Sequence, residues 1–170
     1  MSIDINVGDV LEAGYLTPKT DVEVYADYNG GSKSPDHIAG QERLEKIGIA
    51  HHLFTEQEER LWCFNEIGEL KQYQGDVVWF DQKWHKIVDL EVDKYGPHQG
   101  KRKNTKEMAN RDNLIGLRYR IPVVRFDVMN LTHPKNANYM SDEEIFIAIY
   151  DRVIRYYKVN ALVIGEVKLI

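Results

Sequence analysis

The stretch "DVVWFDQKWHKIVDLEV", residues 76–92, sets two apolar segments on either side of a short polar one. "DVVWF" (76–80) and "HKIVDLEV" (85–92) are rich in β-branched and aromatic residues, which suit a pleated, half-buried surface. "DQKW" between them reads as the connection of a hairpin. In the second segment Val88, Leu90 and Val92 alternate with Asp89, Glu91 and Asp93. Side chains at i, i+2 and i+4 of a strand share a face at intervals of roughly 7 Å, so one face is apolar and the other acidic.

Two meanings are open for that acidic face. A solvated strand surface is one. Aspartate is depleted in strands, however, and like charges in a row repel, a penalty that a bound cation removes. Asp76 bears on the choice, because an antiparallel hairpin brings the start of its first strand to the end of its second. Asp76 and Glu91 are therefore expected to meet at one edge of the sheet, an oxygen-rich site suited to Mg²⁺ or Mn²⁺. The competing meaning of Asp76 is a turn residue after Gly75.

Working outward, "SPDHIAGQERLEKIG" (34–48) reads as a helix with Ser34 as N-cap, Pro35 in the first helical position and Gly48 as a stop. "IAHHLF" and "RLWCF" follow as strand candidates around "TEQEE", and "ELKQYQ" pairs back on "RLWCF" across a turn at Asn65–Gly68. Beyond the hairpin, "NTKEMANRDNLIG" (104–116) reads as a helix capped by Asn104 or Thr105, and "IPVVRF" (121–126) as a buried strand. "SDEEIFIAIYDRVIRYY" (141–157) is the clearest helix, with a Ser141/Glu144 capping box and an apolar stripe of Ile145, Ala148, Ile149, Val153 and Tyr156. "DVEVYADY" near the start and "ALVIGEVKLI" at the end read as strands. The order predicts an α/β domain, a central mixed sheet flanked by helices, over residues 41–170, with 1–40 as an N-terminal extension or small subdomain.

Composition bounds the rest. At 170 residues with 43% hydrophobic and 29% charged residues, the chain fits one soluble domain. No stretch approaches the roughly 20 apolar residues of a membrane-spanning helix, so no membrane partner is expected. The start "MSIDINVGDVLEAG" lacks the basic and apolar regions of a secretory signal, and the single cysteine, Cys63, allows no internal disulfide. A cytoplasmic, intracellular location is the expectation.

The net charge of −5 does not advertise a nucleic-acid partner, but a local patch can act where the total does not. Residues 100–112 carry Lys101, Arg102, Lys103, Lys106 and Arg111 against Glu107 and Asp112. Cations leading into a helix N-terminus oppose its dipole, a small cost that stability alone does not explain. Beside a phosphodiester-cleaving metal site they would hold the backbone and stabilise transition-state charge; the alternative is a solvated loop. His98 is a candidate phosphate contact, proton shuttle or ligand, or a solvated loop residue. His51 and His52 are adjacent, point to opposite faces on a strand and make a poor zinc pair.

"GDVVWFDQKWHKIVDLEVD" resembles the core of the PD-(D/E)xK nucleases, the restriction-endonuclease-like superfamily. "LEVDKYGPH" followed by "NRDNLIGLRYRIPVVRF" is similar to a branch related to the very-short-patch-repair endonucleases, with an E-x-D-G strand end, a following His, an Arg-Asp helix and a strand ending Arg-Phe. The matching positions are Glu91, Asp93, His98, Arg111–Asp112 and Arg125–Phe126, with Glu42 as the acidic helix residue before the core. Two departures stand out. Asp93 occupies the signature lysine position, so either Lys94, Lys101 or Lys103 supplies that charge or another metal ligand replaces it, and Lys94 stands where the glycine is expected.

The resemblance implies a restriction-endonuclease-like core and a Mg²⁺- or Mn²⁺-dependent endonuclease of DNA that leaves 5′-phosphate and 3′-hydroxyl ends. Asp76, Glu91 and Glu42 would hold the metal, and Asp76, Glu91, Asp93, Lys101 and Lys103 would carry the chemistry. His98, Lys101, Arg102, Lys103, Lys106 and Arg111 would contact nucleic acid, with anchoring of the carboxylates or a structural salt bridge to Asp112 or a neighbour as the alternatives for Arg111. Cutting both strands would suit a homodimer. Two alternatives belong to other classes. One is an inactive nuclease-fold protein that binds nucleic acid or serves as an accessory subunit. The other is a metal-dependent hydrolase of small phosphoesters.

Overall fold

The computed structural model describes residues 33–93 and 105–160, the side chains of 105–107 excepted. Among these residues helix α1 (Pro35–Ala50) comes first, followed by strands β1 (Phe54–Phe64), β2 (Leu70–Phe80) and β3 (Lys86–Asp93). Helix α2 (Thr105–Tyr119), strand β4 (Val123–Asp127), the short α3 (Val128–Thr132) and α4 (Asp142–Val159) complete the order. The strands form one mixed sheet in sequence order, with β1–β2 and β2–β3 antiparallel and β3–β4 parallel. The α/β class with helices flanking a mixed sheet is thus present.

The hairpin expected across Asn65–Gly68 is found, with Phe64 opposite Leu70, and so is the one across Asp81–His85, with Phe80 opposite Lys86. Asp81 builds the second turn, its Oδ1 accepting from the N–H groups of Lys83 and His85. One expectation fails between residues 49 and 59. Helix α1 runs on to Ala50, His51 caps it, and β1 begins at Phe54 and passes straight through "TEQEE". His51 then stacks on Phe146 of α4, ring centroids 3.5 Å apart, which gives this histidine a packing role. Helix α1 also runs across the domain boundary expected at residue 41.

Alternation along the strands feeds two cores. Val77, Trp79, Val88, Leu90, Val92 and Phe126 pack with Leu44 and Ile47 of α1, Leu131 of α3, and Ile145, Ile149, Val153 and Tyr157 of α4. The other face carries Leu61 and Cys63, which pack with Ile115 and Tyr119 of α2 and with Ile121. Helix α4 keeps the predicted capping box, but Tyr157 is its buried tyrosine, while the Tyr156 hydroxyl donates to the Gly116 carbonyl of α2. Trp79 Nε1 donates to the Leu44 carbonyl and sets α1 on the sheet. Gly48 permits that approach, since a Cβ there would lie 2.6 Å from Trp79 Nε1. Residues 1–32 and 161–170, with the strands expected in them, lie outside the described residues.

Candidate functional site

Strands β2 and β3 pair from Phe80/Lys86 to Val77/Leu90. One step further along this register, Asp76 comes alongside Glu91. There the backbone ladder gives way to side chains. The Val92 N–H donates to Asp76 Oδ2 at 2.8 Å, and the Gln74 carbonyl accepts from Arg111 at 3.0 Å. The meeting of Asp76 and Glu91 expected from the hairpin is therefore realised, and both line one pocket of about 680 Å³.

Helix α1 and β1 supply one side of this pocket. His37 Nε2 and Lys33 Nζ each lie 3.1 Å from Asp76 Oδ1. Lys33 also forms an ion pair with Glu58. Gln41 Nε2 donates to Glu58 Oε1 at 2.8 Å and to the Asp76 carbonyl at 3.0 Å, pinning the helix to both strands. Glu58 adopts a left-handed backbone (φ 58°) in mid-strand. Burial alone would raise the Asp76 carboxyl, but hydrogen bonds from His37 and the Val92 N–H, with the charges of His37 and Lys33, hold it below the usual carboxylate range.

Helix α2 supplies the other side. Arg111, half-buried beside the Tyr73 ring, donates to Glu91 Oε1 at 2.7 Å and lies 3.5 Å from Asp89 Oδ2. Arg125 of β4, opposite Glu91 in the parallel register, donates to both Asp93 oxygens at 3.1 and 3.2 Å. It also grips Asp112 at 2.6 and 3.0 Å. Guanidinium groups thus lie against the acidic face of β3, and the Asp89 side chain is fully buried. Burial pushes Asp89 up to about 6, with the Arg111 charge opposing. Burial and then the Asp89 charge push Glu91 well above its ordinary value, and Arg111 again opposes.

Asp76, Glu91 and Asp93 therefore line one pocket with Arg111, whose guanidinium, a nucleic-acid contact in the sequence reading, is engaged with carboxylates. Glu42 does not join them. Its side chain is exposed, and Gln41, one residue or about 100° earlier on the helix, is the α1 residue that reaches the site. His98, Lys101, Arg102 and Lys103 lie outside the described residues, and Lys106 belongs to α2 without a described side chain. Lys33, His37, Glu58 and Arg125 join the pocket without having been assigned a role from sequence. Only Arg125 had a signal, the Arg-Phe strand end.

The donor set is two carboxylates at adjacent strand positions. Among the described residues no three His, Cys, Asp or Glu side chains are grouped to hold a metal ion by themselves. That is an arrangement Mg²⁺ accepts, because it is commonly bound by one or two carboxylates with water and substrate phosphate completing the shell. No helix among the described residues is long and apolar enough to cross a membrane. Comparison with known proteins finds no match: no family model, no curated protein and no solved structure matches this chain.

Proposed function

We propose that the protein is a Mg²⁺- or Mn²⁺-dependent endonuclease that hydrolyses phosphodiester bonds in DNA. The observation that carries this is the convergence of Asp76 and Glu91, from antiparallel neighbours, on one pocket that also holds Lys33, His37, Arg111 and Arg125. The order of one helix, three antiparallel strands, a helix and a parallel strand accords with the restriction-endonuclease-like core that the sequence resembles.

Asp76 and Glu91 would hold the ion. Bound there, it would lower the pKa of a water molecule and polarise the scissile phosphate. The chain's own groups do the positioning. The Val92 N–H orients the Asp76 carboxylate, and Arg111 orients Glu91. Arg125 neutralises Asp93, the residue standing where the signature lysine would be. The run Lys101–Lys103, with His98 and Lys106, is the proposed grip on the DNA backbone. The ends produced, 5′-phosphate and 3′-hydroxyl, follow from the resemblance.

The test is nicking of supercoiled plasmid with Mg²⁺, Mn²⁺ or EDTA. Asp76→Ala and Glu91→Ala should each abolish cleavage, and normal cutting by both would refute the assignment. A second reading is a nuclease-fold protein that binds nucleic acid without cutting it. Its support is that Asp76, Glu91 and Asp93 already have cations of the chain beside them. Calorimetry with Mn²⁺ separates the two, since the non-cutting protein has no need of metal at Glu91.

A further inference from the structure

The signature lysine is absent from β3, yet a lysine reaches the site from elsewhere in the chain. Lys33 immediately precedes the N-cap Ser34, whose hydroxyl accepts from the His37 N–H. Its Nζ lies 3.1 Å from Asp76 Oδ1 and is ion-paired with Glu58. Both of these anchors are themselves held by Gln41 Nε2, through Glu58 Oε1 and the Asp76 carbonyl. The ammonium group is therefore placed beside the carboxylate by a hydrogen-bonded frame spanning α1, β1 and β2.

Among the described residues, the two arginines of the pocket are committed. Arg125 spends Nε and both terminal nitrogens on Asp112 and Asp93. Arg111 is divided among Glu91, Asp89, Asp112 and the Gln74 carbonyl. An ammonium has three donors, and Glu58 and Asp76 take two from Lys33. The Lys33 side chain remains one-quarter exposed and lines the pocket. An ammonium on a flexible stem also follows a moving charge more readily than a clamped guanidinium.

We infer that Lys33 is the catalytic cation of this site, contacting a non-bridging oxygen of the scissile phosphate, the role for which the sequence offers Lys94, Lys101 or Lys103. This rests on the nuclease reading above. In the reaction the oxygen of water bonds to phosphorus and the bond from phosphorus to the 3′ oxygen breaks. Water's proton leaves to solvent and the 3′ oxygen takes one up. Lys33 keeps its protons throughout and supplies charge where negative charge grows, the kind of contribution that is largest in a water-poor site.

The experiment compares wild type, Lys33→Met, Lys33→Arg and Asp76→Ala as full chains. It reads plasmid nicking at saturating Mg²⁺, Mn²⁺ affinity by calorimetry, and the urea midpoint. Lys33→Met should lose about 100-fold or more in kcat, the scale of removing one transition-state donor. Its KM should change little, and it should bind Mn²⁺ at least as tightly as wild type, because a competing cation has left Asp76. Lys33→Arg should recover part of the rate. The inference is overturned if Lys33→Met cuts at the wild-type rate. It is equally overturned if Mn²⁺ affinity and urea midpoint fall together with the rate, as for a purely structural ion pair. A wild-type chain indistinguishable from Asp76→Ala refutes the nuclease reading itself and takes this inference with it.

Discussion

The Val92 amide donates to Asp76 Oδ2 at 2.8 Å, so the carboxylate of one strand is held by the backbone of the strand that carries Glu91. Side chain and main chain are interdependent here: the acid completes the ladder, and the ladder aims the acid. Asp76→Ala should then weaken the fold as well as the site. Leaving the buried Val92 N–H without a partner costs about 1–3 kcal/mol. Asp76→Asn keeps an acceptor in place and should lose less stability while still losing cleavage. Urea denaturation of the two variants measures the difference.

Arg111 supports three carboxylates at once. Removing it by Arg111→Met leaves Glu91 and Asp89 as buried charges without their guanidinium, a loss of about 3–5 kcal/mol. Arg111→Lys should not restore wild-type stability, because one ammonium cannot reproduce the fork that spans Glu91, Asp89, Asp112 and the Gln74 carbonyl. Thermal melts of the two variants should both lie well below wild type. A lysine variant that melts like wild type would show that charge alone, without the fork, holds this wall.

Gly75 sets the floor under Asp89. A Cβ at this position would come within 2.4 Å of Asp89 Oδ1, and the carboxylate it meets is fully buried. Gly75→Ala should therefore overpack the site at a cost of about 1–3 kcal/mol. Gly68 is a useful contrast: nothing lies near a Cβ there, and its cost arises from its φ of 78° instead. Combining Gly75→Ala with Asp89→Ala should relieve the closer of the two clashes, the other being with Val78 Cγ2 at 2.9 Å, and a double-mutant cycle would register that as coupling.

Alkaline stability has identifiable sources. Burial pushes the Tyr119 hydroxyl up to about 12 and the Cys63 thiol up to about 12, from ordinary values of 10.0 and 9.0. Both groups are held in the protonated form by the fold, so their contribution is complete below the unfolded values and is lost as pH rises towards 12. Stability should start to decline above pH 9 and fall more steeply above 10. Tyr119→Phe should flatten the upper part of that decline. It should also cost stability at neutral pH, because the Tyr119 oxygen accepts from the Trp62 N–H at 2.7 Å. Cys63 should resist alkylation in the native protein at pH 8 and react once the chain is unfolded.

What could be read from the sequence was what local chemistry dictates. The hairpins, the Ser141 capping box and the convergence of Asp76 with Glu91 depend on alternation and short-range geometry, and all are present. The misplacement of the inward α1 residue is a matter of helix phase. Gln41 and Glu42 differ by one position, acidity favoured the second, and only tertiary packing decides which side of the helix meets the sheet. Period-two alternation likewise separates the faces of β3 without saying what covers each. A solvated surface and a guanidinium-covered one have the same pattern, and Arg111 comes from an element about twenty positions later. Lys33 and His37 had no signal because nothing near them in sequence marks proximity to a carboxylate some forty residues away.

The left-handed backbone of Glu58 bears on any attempt to engineer this protein. A branched or bulky residue rarely occupies that region, and a glycine there would relax the chain. Stabilising screens should therefore favour Glu58→Gly. The same change would strip Lys33 and Gln41 of a shared anchor. Robustness and competence pull in opposite directions at this one position, so a library selected for melting temperature alone should drift towards sturdier proteins with looser pockets.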